Sequence, residues 1–312
     1  MNGITINLKI RKLHTWMDQM SSSSLNKGDI SIVIPTYFRP EDISALFKSI
    51  LIQTVLPKEV IVVDDTPDKS IFNMCIKFNN FFKNKDVVLI YARNKGERSS
   101  ARARNMGIRL SRSKYVLFLD SDALLDRNYI KEILIIFDIN DDALGVQGWV
   151  VGPGYRRKRG IKRYLSHFFN KLFLLGNSSI NRCNLFEYPR ILDTTIRCQW
   201  LSGSNMTVKR DILNMIKFDD KLYKYSFSED MLLSHQIYQI HPNSLYMTPD
   251  AKLYHLASDQ GRMKKSHISY RLIDSQRKYV LYKLFKQKGF LIYYRQKIGL
   301  FLLRNFLEKI IY

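Results

Sequence analysis

The sequence predicts an α/β protein built on a mostly parallel sheet flanked by helices. Short apolar strands alternate with helix-length amphipathic segments over residues 31–137. Three of those strands end in polar clusters, which would share one edge of the sheet. A chain of 312 residues, 46% hydrophobic and 25% charged, can bury the core that such a sheet needs.

Each element follows from its pattern. Ser31-Ile-Val-Ile-Pro35 is a short apolar strand. Glu41 to Gln53 places Ile43, Leu46, Phe47, Ile50 and Leu51 at helical spacing. Glu59 to Asp65 is the second strand, Ser70 to Phe82 a helix, and Val87 to Tyr91 the third strand. Ser99 to Leu110 is a helix, Tyr115 to Leu119 the fourth strand, and Asn128 to Phe137 the closing helix. Crossovers between such strands are right-handed, and ligands bind beyond the strands' carboxyl ends at a topological switch point. Pro35-Thr36-Tyr37, Asp64-Asp65 and Asp120-Ser121-Asp122 all fall at such ends.

The most informative stretch is Tyr115-Val-Leu-Phe-Leu, which runs straight into Asp120-Ser121-Asp122. Two carboxylates at an exposed strand tip suit a hard divalent cation bridged to phosphates, as Mg2+ prefers. The alternative is an acidic turn after a strand. Arg98, Arg102 and Arg104 lie near the start of a helix, either as a solvated basic face or with Arg98 and Arg104 against a diphosphate. Gly203 permits close backbone approach to a ligand or marks a tight turn, with Ser204 and Asn205 beside it. Trp200 stacks on a sugar face or fills the core. Glu229 and Asp230 open a helix, where acids also favour the dipole.

Charge and length set the remaining limits. Lys and Arg number 50 against 28 Asp and Glu, a formal +22, which implies an anionic partner. Residues 156–163 hold six cations, and residues 262–312 hold 13 Lys or Arg against Asp274 and Glu308, interleaved with Leu, Ile, Phe and Tyr. That mixture suits helices lying on an anionic membrane surface, or helices packed on the main domain with cationic outer faces. Cys75, Cys183 and Cys198 show no zinc or disulfide spacing and fit a reducing compartment. No segment reads as a signal peptide or a membrane span. The expected organisation is a basic lead-in over 1–28, with a short amphipathic helix at Ile4 to Met17, a main domain over 29–260, and basic amphipathic helices over 261–312.

The ordered set Ile-Val-Ile-Pro-Thr-Tyr (32–37), Val-Val-Asp-Asp (62–65), Ala-Arg-Asn (103–105), Phe-Leu-Asp-Ser-Asp (118–122), Gly-Ser-Asn-Met (203–206) and Ser-Glu-Asp (228–230) resembles the family 2 glycosyltransferases of the GT-A fold, Rossmann-like in its sheet. The resemblance covers roughly residues 30 to 256. It implies inverting transfer of a sugar from a nucleotide-diphosphate donor with Mn2+ or Mg2+. It also implies roles for single residues. Asp65 would bond the base, in a nucleotide pocket lined by Pro35, Thr36 and Tyr37. Asp120, with Ser121, would face the ribose or sugar, and Asp122 would hold the metal. Asp230 would be the catalytic base beside Glu229, and His255 would reach the metal, unless it is an ordinary core or surface histidine. The chain lacks the Q-x-x-R-W motif of the processive synthases and the D-A-D-L-Q form of the polyprenyl-phosphate sugar synthases.

The expected acceptor is a glycan or a lipid-linked sugar. The expected location is cytoplasmic, peripheral on the inner face of the cell membrane. A nucleic-acid- or membrane-binding protein on an inactive scaffold is the alternative. No helix-turn-helix, RRM, KH or zinc pattern supports nucleic acid, so none is expected as a partner.

Overall fold

The computed structural model describes residues 26–152, 172–173, 177–180, 183, 185, 187–224, 226–261 and 266–311. The helix expected at Ile4 to Met17 and the 156–163 basic cluster lie outside these residues.

The first half of the sheet follows the alternation. Strand β1 (Asn26–Thr36) pairs in parallel with β2 (Val55–Asp64) on one side and β4 (Tyr115–Phe118) on the other, and β3 (Val88–Arg93) extends the β2 side. Helices α1 (Pro40–Leu51), α2 (Ser70–Lys83), α3 (Ser100–Leu110) and α4 (Tyr129–Ile139) make the crossovers and cover the faces. Pro40 sits in the first turn of α1, where its missing N–H costs nothing. Ser99 caps α3 by accepting the Arg102 N–H. In α3, a Cβ at Gly107 would stand 2.1 Å from Val33 Cγ1, so only glycine lets this helix lie so close to β1.

Beyond residue 140 the periodicity gives no clear pattern, yet the sheet continues. β5 (Ala123–Leu125), β6 (Gly145–Val151), β7 (Asn177–Ile180), β8 (Glu187–Ile191), β9 (Ile196–Cys198), β10 (Met206–Lys209) and β11 (Leu245–His255) follow in the chain. The order in space is β3-β2-β1-β4-β10-β6-β11-β5, with β9 also on β11 and β7-β8 apart. β10 runs antiparallel to both β4 and β6, and β5 antiparallel to β11. The first four strands in this order are therefore purely parallel, and the mixed part lies beyond β4. The chain turns back across β1 after β3, so the switch point falls between β1 and β4.

Helices α5 (Arg210–Met215) and α6 (Glu229–Ile240) join the second core face. The C-terminal segment forms α7 (His267–Phe285) and α8 (Gln287–Ile311). A third small core of Leu222, Leu232, Val280 and Leu284 attaches α7 to α6. Among the described residues, no helix is long and apolar enough to cross a membrane.

Candidate active site

The strand directions explain how distant residues meet. β4 ends at Phe118, and Asp120 follows at the carboxyl edge. Because β10 is antiparallel to β4, the residues before Met206 arrive at the same edge, and Asp120 N–H points at Ser204 O at 3.4 Å. Because β5 pairs antiparallel with β11, His255 lies opposite Ala123, one residue past Asp122. The result is a cleft of about 420 Å³ over the switch point. Pro35, Thr36, Tyr37, Asp65 and Arg98 line one wall, Asp120, Ser121, Asp122 and His255 the floor, and Gly203, Ser204, Glu229 and Asp230 the other wall.

On the first wall, Asp65 accepts Asn94 Nδ2–H at 2.7 Å and Ser99 N–H at 3.4 Å. Burial raises its pKa against these bonds. The Arg98 guanidinium lies over the Tyr37 ring at 3.9 Å and donates to Gly261 O at 2.8 Å. Thr36 is buried, and its Oγ1 has no hydrogen-bond partner among the described residues. Asp64 turns inward instead, accepting Thr66 N–H at 2.7 Å and Tyr91 OH at 2.9 Å.

On the floor, one ligand atom from each of Asp120, Asp122 and His255 lies within 4.8 Å of the others. His255 Nε2 is 3.7 Å from Asp120 Oδ2 and 3.6 Å from Asp122 Oδ1. Two carboxylates and an imidazole fit a divalent cation of the Mn2+ or Mg2+ kind, the nitrogen favouring the softer Mn2+. His255 Nδ1 accepts the Ala257 N–H at 3.2 Å, so the neutral ring carries its proton on Nε2, facing the carboxylates. Metal ligation through Nε2 would move that proton to Nδ1. Asp122 is buried. Its Oδ2 accepts Ser258 N–H at 3.0 Å, and its Oδ1 pairs with Arg39 Nη1 at 2.9 Å. Arg39 also donates to Gln260 O at 2.7 Å and Ser258 O at 3.3 Å, tying the segment after β11 across the cleft.

Arg104 organises the second wall. It is 3% exposed and pairs with Glu229 through Nη1, while Nη2 reaches Asp120 Oδ1 at 3.1 Å and Gly203 O at 3.2 Å. One cation thus serves the buried Glu229 and the part-exposed Asp120 beside Asp230, and the three cannot all ionise cheaply. Burial pushes Glu229 from the ordinary 4.5 up to about 8, against Arg104 and with help from Asp230. Burial raises Asp230 too, against the Gly203 N–H and Arg104. Burial also opposes ionisation of Asp120, but the His255 hydrogen bond and Arg104 outweigh it and hold Asp120 low. Asp230 Oδ2 accepts the Gly203 N–H at 2.7 Å, and Oδ1 accepts the Met231 N–H at 2.8 Å in the first turn of α6. Asp230 therefore has the helix-end role and a place in the cleft together. A Cβ at Gly203 would stand 3.0 Å from Asp230 Cβ, so the close approach is the reason for glycine there.

Arg104 lines the cleft as expected of a donor-side cation, with its guanidinium already paired to Glu229 and Asp120. Two sequence expectations need revision. Asn205 does not line the cleft; it is fully buried, and its amide donates to Gly148 O at 2.8 Å. Trp200 also stays off the cleft, half-buried with its ring centroid 6.0 Å from that of Tyr188. Sequence reasoning missed Arg39. A cation just after the β1 tip, beside three strand-end acids, was the available signal.

Comparison with known proteins bears on this arrangement. An uncharacterized glycosyltransferase of Rickettsia conorii is 33% identical over 137 residues, 43% of this chain and 21% of the relative. The minor teichoic acid biosynthesis protein GgaB of Bacillus subtilis is 25% identical over 206 residues, 64% of this chain and 20% of that protein. The alignments to the first curated relatives span only 17–21% of those relatives' length. Residues 1–349 of S. aureus TarS in complex with UDP-GlcNAc superpose with a TM-score of 0.55 at 17% identity, over 82% of this chain and 66% of that one, a likeness of fold. Residues 31–213 match the sequence model of glycosyl transferase family 2. That match covers more than half of the 312 residues, and the chain belongs to glycosyl transferase family 2.

Proposed function

We propose that this chain transfers a sugar, with inversion, from a nucleotide-diphosphate donor to a hydroxyl of a glycan or lipid-linked acceptor at an anionic membrane surface. The observation that carries the reading is Asp230 facing the Asp120, Asp122 and His255 group from across one cleft. Residues 29–260 would form the catalytic unit and 261–312 the surface-binding appendage.

The nucleotide would lie along the first wall, with Asp65 on the base and Tyr37 and Arg98 beside it. The unpaired Thr36 hydroxyl fits a polar ligand there. The TarS complex supports a UDP-sugar as the first donor to try. Asp120, Asp122 and His255 would hold a divalent cation, which neutralises charge on the leaving diphosphate. Asp230 would take the acceptor's proton as the acceptor oxygen bonds to the anomeric carbon and the bond to the diphosphate oxygen breaks. The products are the new glycoside, the nucleoside diphosphate and a proton on Asp230. A carboxylate whose pKa is raised by burial is better matched to that proton transfer than an ordinary one. Gly203 N–H would hold the carboxylate in place through the step.

The test is thermal shift with UDP-GlcNAc, with and without Mn2+. Wild type should be stabilised more when Mn2+ is present, and Asp122→Ala, read against its own unliganded melting point, which the loss of the Arg39 pair lowers, should lose that increment. Full activity in excess EDTA would defeat the metal reading.

Two features of the C-terminal helices support the surface. Leu291, Tyr294, Ile298 and Phe301 follow one stripe of α8 and are 73%, 54%, 55% and 65% exposed. Lys288, Arg295 and Lys297 are exposed on the same helix. Each cation near an anionic surface contributes about 1 kcal/mol, falling off within a Debye length. The full chain should co-sediment with vesicles containing phosphatidylserine and lose most of that binding in high salt. Equal, negligible binding to neutral and anionic vesicles would remove membrane contact from the proposal.

A further inference from the structure

The loop leading into α6 is held in an unfavourable backbone conformation. Lys224, Ser226 and Ser228 have φ of 59°, 50° and 59°, the left-handed region that residues with a side chain seldom adopt. Such conformations persist only where the surroundings over-determine them. Ser228 is the last residue before Glu229 and Asp230, so the state of this loop sets how the first turn of α6 faces the cleft.

Two sets of bonds hold the loop. On the cleft side, Lys224 N–H donates to Arg98 O at 2.7 Å, and Ser99 Oγ donates to Leu222 O at 2.9 Å. On the far side, a single side chain from α7 does the work. Gln276 is 5% exposed; its Nε2 donates to Tyr223 O at 2.8 Å, and its Oε1 accepts Phe227 N–H at 2.9 Å. Both ends of one amide thus grip two backbone groups that flank Lys224 and Ser226 and end one residue short of Ser228. Without them, the part-buried Phe227 N–H would lose its acceptor and Tyr223 O would keep only the Ser226 N–H at 3.4 Å, and the loop could relax toward ordinary backbone angles. A rotation at Ser228 would carry Asp230 away from the Gly203 N–H that it now accepts at 2.7 Å.

We propose that Gln276 is a positioning residue for Glu229 and Asp230, so that the C-terminal helices take part in turnover and do not serve attachment alone. The inference rests on the reading of Asp230 as the base. It identifies α7 as the back wall of the acceptor side, fixed to the body by the Tyr279 OH bond to Asp219 at 2.7 Å and by Gln239 Nε2 on Leu284 O at 3.1 Å.

The test compares Gln276→Met, which keeps the volume and loses both bonds, with Val280→Ala, which loosens the packing of the same helix on Leu222 and Leu232 but keeps both Gln276 bonds, and with Asp230→Asn. All are made in the full chain. The first readout is amide hydrogen exchange measured by mass spectrometry, which needs no donor. Gln276→Met should speed exchange across 222–231 about tenfold, the size of one or two neutral hydrogen bonds, while β1 and β2 keep their protection. The second readout is UDP release from UDP-GlcNAc with Mn2+. Gln276→Met should lower kcat about tenfold with KM for the donor unchanged, a larger loss than Val280→Ala causes at a matched drop in melting point. Unchanged exchange across 222–231, or a kcat loss no larger than that of Val280→Ala, overturns the proposal. Wild-type turnover in Asp230→Asn removes the base reading instead and leaves the exchange result standing, so the two failures are distinct.

Discussion

Asp230→Asn lowers the rate of sugar transfer by about 10²–10⁴-fold, the usual worth of a positioned general base. The amide keeps the size of the carboxylate and one oxygen for the Gly203 N–H, at the cost of the Met231 N–H bond, and it cannot accept a proton from the acceptor hydroxyl. Nucleotide affinity should stay near the wild-type value, since Asp65, Tyr37 and Arg98 lie on the opposite wall. Single-turnover rates and calorimetric titration with UDP separate the two quantities; wild-type-like turnover would leave Asp230 as a helix-end residue only. The same chemistry sets a pH dependence. A base works in its ionised form, and burial holds Asp230 above its ordinary range. The wild-type rate should therefore still be climbing with pH where an ordinary aspartate is fully ionised. Burial raises Glu229 to about 8, so it is already neutral on that limb, and Glu229→Gln should leave the acid limb where it is.

Arg104→Met should destabilise the fold by about 3–5 kcal/mol at pH 8, the cost of stripping one partner from a buried ion pair. Glu229, whose side chain is 10% exposed, would be left without its guanidinium, and Asp120, a third exposed, would lose one of its partners. The penalty should shrink as pH falls, because Glu229, which burial raises to about 8, then loses the charge that Arg104 paired. The sign is that of a group with a raised folded-state pKa, whose neutral form the fold prefers. Adding Glu229→Gln to Arg104→Met should recover part of the loss. Urea denaturation at pH 5.5 and pH 8 measures all of this, and an Arg104→Met protein as stable as wild type at pH 8 would show that the guanidinium does not hold the wall together.

The regular part of the fold was legible because its signals are local. Ile32, Ile34, Val60, Val62 and Leu117 lie in apolar runs, and the acids come immediately after them. The second half was opaque for physical reasons. β10 has four residues, too few for a period, and β11 is interrupted at Pro249, where its register against β6 shifts between Thr248 and Lys252. The candidate acids were legible as strand-end and helix-start residues, but their partners were not. Arg39 reaches Asp122 over a separation of 83 positions, and nothing short-range in the sequence announces such an ion pair. Arg104 was legible as a cation near the site. Its burial, and with it the pairing to carboxylates, depends on how closely α3 packs against β1 at Gly107. Asn205 misled for a similar reason, since its neighbours Gly203 and Ser204 do line the cleft while antiparallel pairing at β10 sends the next side chain into the core.

The Arg39–Asp122 pair gives the unliganded cleft a counter-ion of its own. A divalent cation entering there competes with a guanidinium already in place, so its gain is a difference between two attractions. A diphosphate arriving with it offers that guanidinium a new anion. Under the proposed function, cation and nucleotide would be thermodynamically linked ligands, and whatever factor one adds to the affinity of the other must be returned in equal measure. Such a cleft would be weakly drawn to either alone and would select for the two as a complex.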